Sequence, residues 1–351
     1  MSPRLRVAAI GLGWVCQHRH LPAMNRSERF DVVGVIDRTP GCAAEIAKRH
    51  GYRHYAEAAT LAAVDWLDEV DAITVATVPM AHFTLVSEAL ARGKHVLTEK
   101  PFTMRVEEGA QLLEAASVAD RRLAIVHNFQ FARSTRKLMA KIAAGKLGTI
   151  RGVDAVQFGN PRRRLPTWCE ELPFGLFYDE SPHLLYLMRA VAGALSLERS
   201  FVVAGSTGQN TPSRIEAWFR GTDLECPVRM SCNFESSVSE WYLMVTGDKG
   251  LGIVDVFRDI LILLPNDGRH ATLDVLRTSR VATFQHWFQH VTSGLPHLTG
   301  RLSYGNAELF DRFARGCAGE ISAMTPISGE AAQAVLTLQH AVIDKAEAIY
   351  R

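Results

Sequence analysis

Three small groups of residues have the types and spacing that chemistry needs. The first is Glu99-Lys100-Pro101, which closes the run "HVLTEKP". A lysine at the C-terminal edge of a parallel sheet points into the crevice where such sheets bind ligands, and an ammonium there can steady a developing alkoxide or hydrogen-bond a reacting hydroxyl. The plainer roles are a solvated loop lysine for Lys100 and a simple ion-pair partner for Glu99. The second group is Asp179 and His183 in "FYDESPHLLYL". Four residues apart, they share one face if the segment is helical, and an imidazole titrates near neutral pH. The third is "VAAIGLGWVCQHRHLP", where Gly11 and Gly13 follow an apolar run at once and a helical pattern opens at Trp14 and Val15. A pyrophosphate can sit on such a helix N-terminus.

The glycine turn gains weight from its neighbour in the chain. The next apolar run, "FDVVGVID", ends at Asp37, where a carboxylate can accept both hydroxyls of an adenosine ribose. Cys16 stands where a third glycine would, a position that serves close packing of helix on strand and tolerates a small side chain. The alternative is a tight strand-to-helix turn with no ligand. With Asp37 present, NAD is favoured, and NADP is not excluded. The adjacent Arg38 can stack on adenine, meet a 2′-phosphate or remain a solvated charge.

Elements must position these groups. Through residue 127, apolar runs ("RVAAIG", "FDVVGVID", "VDAITVAT", "HVLTEK", "RLAIVHN") alternate with amphipathic stretches at 41–50, 80–93 and 105–118. That alternation predicts a doubly wound parallel sheet, an α/β Rossmann domain over residues 1–127. After residue 150 the rhythm changes to β-branched and aromatic runs with short turns ("SFVVAGS", "RIEAWFRG", "VRMSCNFE", "WYLMVTGDKGLGIVDVF", "DILILLP"), which reads as an antiparallel sheet. Helical patterns return at 281–294, 305–318 and 329–349. Residues 128–351 are therefore expected to form a second, α+β domain with a large, mainly antiparallel sheet.

Composition bounds the partners. In 351 residues, 39 Lys and Arg stand against 37 Asp and Glu, a net charge of +2 that leaves no electrostatic footprint for nucleic acid or an anionic membrane. A small molecule is the better partner. The first strand begins within about five residues of Met1, leaving no room for a secretory leader, and no apolar run approaches the ~18 residues of a membrane span. The six cysteines are scattered without C-x-x-C spacing, so they read as reduced thiols in a cytoplasmic protein. His286 and His290 are spaced i, i+4 on a predicted helix, but no H-E-x-x-H pattern or third ligand accompanies them, and no metal site is expected.

"GLGWVC", "TVPMAH", "HVLTEKPFTM" and "DESPH" together resemble the glucose-fructose oxidoreductase / inositol dehydrogenase family (Gfo/Idh/MocA), over essentially the whole chain. The resemblance implies a Rossmann domain joined to an open-faced antiparallel α/β domain that serves substrate binding and oligomerisation. It also implies hydride transfer between NAD(P) and a secondary alcohol or ketone carbon of a sugar, amino sugar or cyclitol. It gives Lys100 a catalytic-site role, His183 the role of proton acceptor and Asp179 that of orienting substrate. The family's proline at Pro101 often follows a cis peptide. Thr77, Pro79 and His82 are implied as neighbours of the nicotinamide ribose and diphosphate, together with Glu99, Lys100 and Pro101. Asn128 is implied near the carboxamide, and Gln130 and Phe131 near the substrate. His82 has an alternative as a helix N-terminal packing residue. The sequence departs from the family pattern at Ser181, in place of glycine, and at Tyr186, where many members carry aspartate.

The loop 159–175 carries charges of both signs. Arg162, Arg163 and Arg164 suit a carboxylate or phosphate, whereas Glu170, Glu171, Asp179 and Glu180 suit the ammonium of an amino sugar; a solvated arginine face is the plain alternative. Trp168 is a candidate for stacking on a sugar ring or for a buried anchor. Two other functions stay open: reduction of an imine or other non-sugar acceptor, and a non-catalytic dinucleotide-binding regulator. A homodimer or homotetramer through the open sheet face is expected, since a large bare sheet exposes more apolar surface than a monomer usually tolerates.

Overall fold

The structure, a computed structural model, describes residues 4–163, 165–206, 209–300 and 302–349. The chain divides into two units, one of residues 1–128 and 306–337 and another of 129–305 and 338–351.

In the first unit, β1 (Leu5–Ile10), β2 (Phe30–Asp37), β3 (His54–Glu57), β4 (Ala72–Val75), β5 (His95–Thr98) and β6 (Leu123–Ile125) form one sheet in the order β3-β2-β1-β4-β5-β6. Every pairing is parallel. The strands read as continuous apolar runs because helices cover both faces, and Val7–Ile10 and Ala72–Val75 are all buried. Strand order reverses between β1 and β4, and at such a switch point the carboxyl ends of neighbouring strands splay to leave a ligand crevice. The crossovers are α1 (Leu21–Asn25), α2 (Cys42–His50), α3 (His82–Ala91) and α4 (Val106–Val118).

The linear two-domain expectation needs one correction. Residues 306–337 return to the first unit instead of staying with the second. The reason lies in α8 (Asn306–Cys317), whose Leu309, Phe310 and Phe313 are buried. Phe310 meets the rings of His20 and Phe30 edge-on, and Asp311 pairs with Arg29 at 2.5 Å. Such docking joins residues hundreds apart, and periodicity carries no trace of it.

The second unit contains an eight-stranded sheet. Its strands are β7 (Ile150–Phe158), β8 (Leu195–Val203), β9 (Arg214–Gly221), β10 (Pro227–Asn233), β11 (Glu240–Gly247), β12 (Gly250–Asp255), β13 (Ile260–Pro265) and β14 (Ala346–Ala348), ordered β13-β12-β11-β7-β10-β9-β8-β14. It is antiparallel except for β7 with β10 and β8 with β14. Burial alternates along the strands: Ile215, Ala217 and Phe219 are buried while Glu216 and Trp218 face out. The buried face packs on α5 (Arg133–Ala143) and α6 (Leu176–Ala192). The helical pattern expected over 329–349 ends sooner, at Asp344 of the helix Gly329–Asp344, and the chain beyond it joins the sheet edge as β14. The pattern expected over 281–294 is a longer helix, α7 (Thr272–Leu298).

α6 contains Pro182, which has no N–H to offer the carbonyl of Tyr178 four residues earlier. Gln339 replaces that donor: its Nε2 lies 2.6 Å from the Tyr178 oxygen and 2.9 Å from Ser181 Oγ. Ser181 is fully buried, and its hydroxyl finds its partner inside the unit.

Candidate active site

In the first unit the glycine turn leaves β1 at the switch point. Gly11 has φ +84°, and a Cβ there would lie 2.6 Å from Thr77 Cγ2 and 2.7 Å from the Ala76 carbonyl carbon. Only glycine fits, and the turn is thereby held against the end of β4. Gly13 differs: an added Cβ would meet nothing within 4 Å. Its backbone borders open space, which is what a closely approaching diphosphate requires. Trp14 and Val15 are exposed at the start of the helix, and Trp14 stacks on His18 with the Arg19 guanidinium over its ring. Cys16 is completely buried, so its thiol serves the close packing that a third glycine would serve, and burial raises the thiol well out of its reactive range.

Asp37 ends β2 beside this turn. One carboxylate oxygen accepts the Leu12 N–H at 2.7 Å and the other the Thr39 N–H at 2.8 Å. Each oxygen retains acceptor capacity for a ribose hydroxyl. Arg38 next to it is exposed.

Lys100 leaves the end of β5 above a buried relay. Glu99 accepts from His20 at 2.9 Å, and the other nitrogen of that fully buried imidazole lies 2.8 Å from Thr74 Oγ1. The Lys100 N–H donates to the second Glu99 oxygen at 3.1 Å. Burial alone would raise the Glu99 carboxyl, but the His20 hydrogen bond and the charges of His20 and Lys100 outweigh it and hold the group below its ordinary value. A carboxylate is thus fixed directly behind the candidate lysine. The Lys100–Pro101 peptide is cis.

His82 is fully buried, with Nδ1 2.8 Å from the Pro101 oxygen and Nε2 3.2 Å from the Thr77 oxygen. Burial lowers its pKa although both carbonyls favour the charged form. The ring ties the loop after β4 to the loop after β5. Pro79 is buried in the short turn before α3, and Asn128 is buried at the end of the unit's first segment.

In the second unit, α6 presents Asp179 half-exposed and His183 buried on one helix face. His183 Nδ1 lies 2.8 Å from the Tyr186 hydroxyl, and that oxygen also accepts the Phe129 N–H at 3.0 Å. Tyr186 therefore does for this imidazole what a carboxylate does elsewhere, without bringing a charge. Phe129 and Trp241 wall the ring at centroid distances of 4.7 and 5.4 Å. The buried Trp241 Nε1 has no hydrogen-bond partner among the described residues. Phe131 is buried and Gln130 half-buried.

Two of the charged residues of loop 159–175, Arg163 and Glu170, find partners within the unit. Arg163 pairs with Glu180 at 2.5 Å, and Gln157 donates to the other Glu180 oxygen. Glu170 accepts from Thr211 N and Oγ1. Arg162 is exposed, Trp168 is half-buried, and Arg164 lies outside the described residues.

Three residues of these clusters carry no sequence motif that marks them as site residues: His20, Tyr186 and Trp241. Their signals are faint but physical. His20 lies one turn after Cys16 on the buried face of the first helix, and Tyr186 lies one turn after His183. Trp241 has only the alternation of β11 to mark it.

A parallel 321456 sheet with an open glycine turn and a carboxylate at the end of β2 is the architecture of a Rossmann dinucleotide-binding domain. Residues 5–127 match the family described as "Oxidoreductase family, NAD-binding Rossmann fold" (GFO_IDH_MocA). An uncharacterised oxidoreductase, sll0816, of a Synechocystis strain is 32% identical over 151 residues, 43% of this chain and 40% of its own. The matches to the first such relatives span about half of their length or less. Among solved structures, GenD2 from gentamicin A biosynthesis, in complex with NAD, is 21% identical with TM-score 0.74, covering 99% of this chain and 94% of its own. The WlbA dehydrogenase from Bordetella pertussis, in complex with NADH and UDP-GlcNAcA, is 17% identical with TM-score 0.75, covering 99% and 96%. At these identities the structures establish the likeness of fold.

Proposed function

We propose that the chain transfers hydride between NAD(H) and a secondary alcohol or ketone carbon of a sugar or amino sugar. The observation that carries this is Lys100, backed by the buried Glu99–His20 pair at the end of β5, in the same unit as a glycine turn whose second glycine borders open space. The residues fit the dinucleotide. Gly13 and the helix opening at Trp14 and Val15 receive the diphosphate, and the Asp37 oxygens receive the ribose hydroxyls. When bound, the nicotinamide accepts or returns the hydride.

The chain's own side chains manage the proton. In the oxidising direction His183 takes the proton of the reacting hydroxyl, its ring held in place by Tyr186, while Asp179 orients a neighbouring hydroxyl. Lys100 steadies the developing alkoxide as its own position is held by Glu99. Because Arg163 and Glu180 neutralise each other, the part of the substrate near them is a neutral, hydroxyl-bearing one. The complexes of the structural neighbours with NAD and with a UDP-linked amino sugar acid support the same class.

The test is titration with NADH and NADPH by fluorescence, followed by a screen of free sugars, amino sugars, inositols and nucleotide sugars with the wild type, Lys100→Met and His183→Ala. Turnover should fall roughly 10²- to 10⁴-fold in His183→Ala with cofactor binding retained. Failure of the wild type to bind either cofactor, or turnover that survives in both variants, overturns the reading.

A further inference from the structure

The helix α7 is long, 27 residues or about 40 Å, and buries few of its own side chains. It is fixed to the edge of the second unit's sheet by glutamines one turn apart. Gln285 exchanges two hydrogen bonds with the backbone N–H and C=O of Leu263, and Gln289 does the same with Leu261. The glutamines thus imitate a neighbouring strand and close the edge of β13. The opposite side of the helix carries Phe284, Trp287, Phe288, Val291, Leu295 and Leu298, at offsets of 0, 3, 4, 7, 11 and 14 residues, with Leu273 and Leu276 extending the row toward the N-terminus. All are exposed: Phe284 by 64%, Trp287 by 62% and Leu298 by 85%.

We propose that this stripe is a self-association surface, on which α7 of a second copy packs antiparallel. Area supports it. With about 200 Å² for each aromatic side chain and about 100 Å² for each aliphatic one, the exposed part amounts to roughly 700 Å² per copy. That exceeds the largest apolar patch of most monomers, and two copies together reach the roughly 1,200–2,000 Å² of a specific interface. A straight apolar row is its own complement about a twofold axis.

Charge supports the antiparallel sense. Arg277 and Arg280 interrupt the row in its first third, and no acidic residue lies on it. With the axis near Trp287 and Phe288, these guanidiniums meet the carbonyl end of the partner helix, where a positive charge is favoured.

The experiment is size-exclusion chromatography with light scattering, over a dilution series, on the full chain and on Trp287→Glu and Val291→Glu, with circular dichroism as the control for folding. Both sites are exposed, so the fold should be unchanged. The wild type should be a dimer, or a higher even assembly, and each variant should drop by one twofold step with the association Kd raised roughly 30-fold or more. A monomeric wild type overturns the proposal. So does an assembly that survives both substitutions, which would then use another surface such as the open face of the sheet. Co-sedimentation of the wild-type monomer with phosphatidylserine vesicles, abolished by the substitutions, would reassign the stripe to a membrane surface and equally overturn it.

Discussion

Substituting Gly13 by alanine separates a cofactor cradle from a turn that is only architecture. The structure gives the new methyl no heavy-atom neighbour within 4 Å. Stability should therefore stay within about 0.5 kcal/mol of wild type, or rise slightly because alanine restricts the unfolded chain. The bound state is where the methyl matters. It occupies the space through which a diphosphate approaches the backbone, and loss of one hydrogen bond to a charged phosphate is worth about 1.5–3 kcal/mol, or roughly 10- to 150-fold in Kd. Gly11→Ala is the internal contrast. It places a non-glycine residue at φ +84° and within 2.8 Å of Ala76 and Thr77, so it should lower thermal stability itself. Thermal unfolding and NADH fluorescence titration on both variants complete the comparison. Equal NADH affinity in wild type and Gly13→Ala would refute the cradle, whatever Gly11→Ala does.

Two further outcomes rest on hydrogen bonds and burial. Tyr186→Phe should lower stability by about 1–3 kcal/mol, since the Phe129 N–H loses its acceptor, and should lower kcat by about tenfold or more at unchanged NADH affinity because the His183 ring is no longer held. An unaltered kcat would remove Tyr186 from any positioning role. His95 is pushed down to about 4 by burial and by Arg121 and Arg122, so between about pH 6.5 and 4 the unfolded chain binds a proton that the folded chain refuses. Its contribution is complete above pH 6.5 and is lost as pH falls toward 4. His95→Asn, which can still accept from the Arg122 N–H, should flatten the dependence of Tm on pH in that window, and parallel profiles would contradict the assignment.

What could be read from the sequence is what depends on near neighbours. Apolar runs ending in Gly11 and Asp37, and a spacing of four between Asp179 and His183, are local patterns with local physical causes. The parallel sheet, the mixed sheet and the helix bearing His183 arise from them. The pairs that set side-chain chemistry are distant in the chain. His20 and Glu99 are 79 residues apart, and Phe129 and Tyr186 are 57 apart. No periodicity joins them. The charged loop illustrates the same limit: Arg163 and Glu180 each suit a ligand of opposite sign when read alone, and only the fold shows that each answers the other. Tyr186 reads as a departure from a family pattern until its hydroxyl is seen to hold the histidine.

The exchange made at Pro182 orders events during synthesis. By the time residue 200 has been added, a growing chain already possesses Lys100, Asp179 and His183, yet the helix that bears the last two has a gap in its own ladder at the Tyr178 carbonyl. The donor that fills it arrives 161 residues later, on Gln339. The helix is therefore completed by a latch supplied from far along the chain, and a nascent chain that stops short of Gln339 carries Asp179 and His183 on a helix whose ladder is still open at Tyr178.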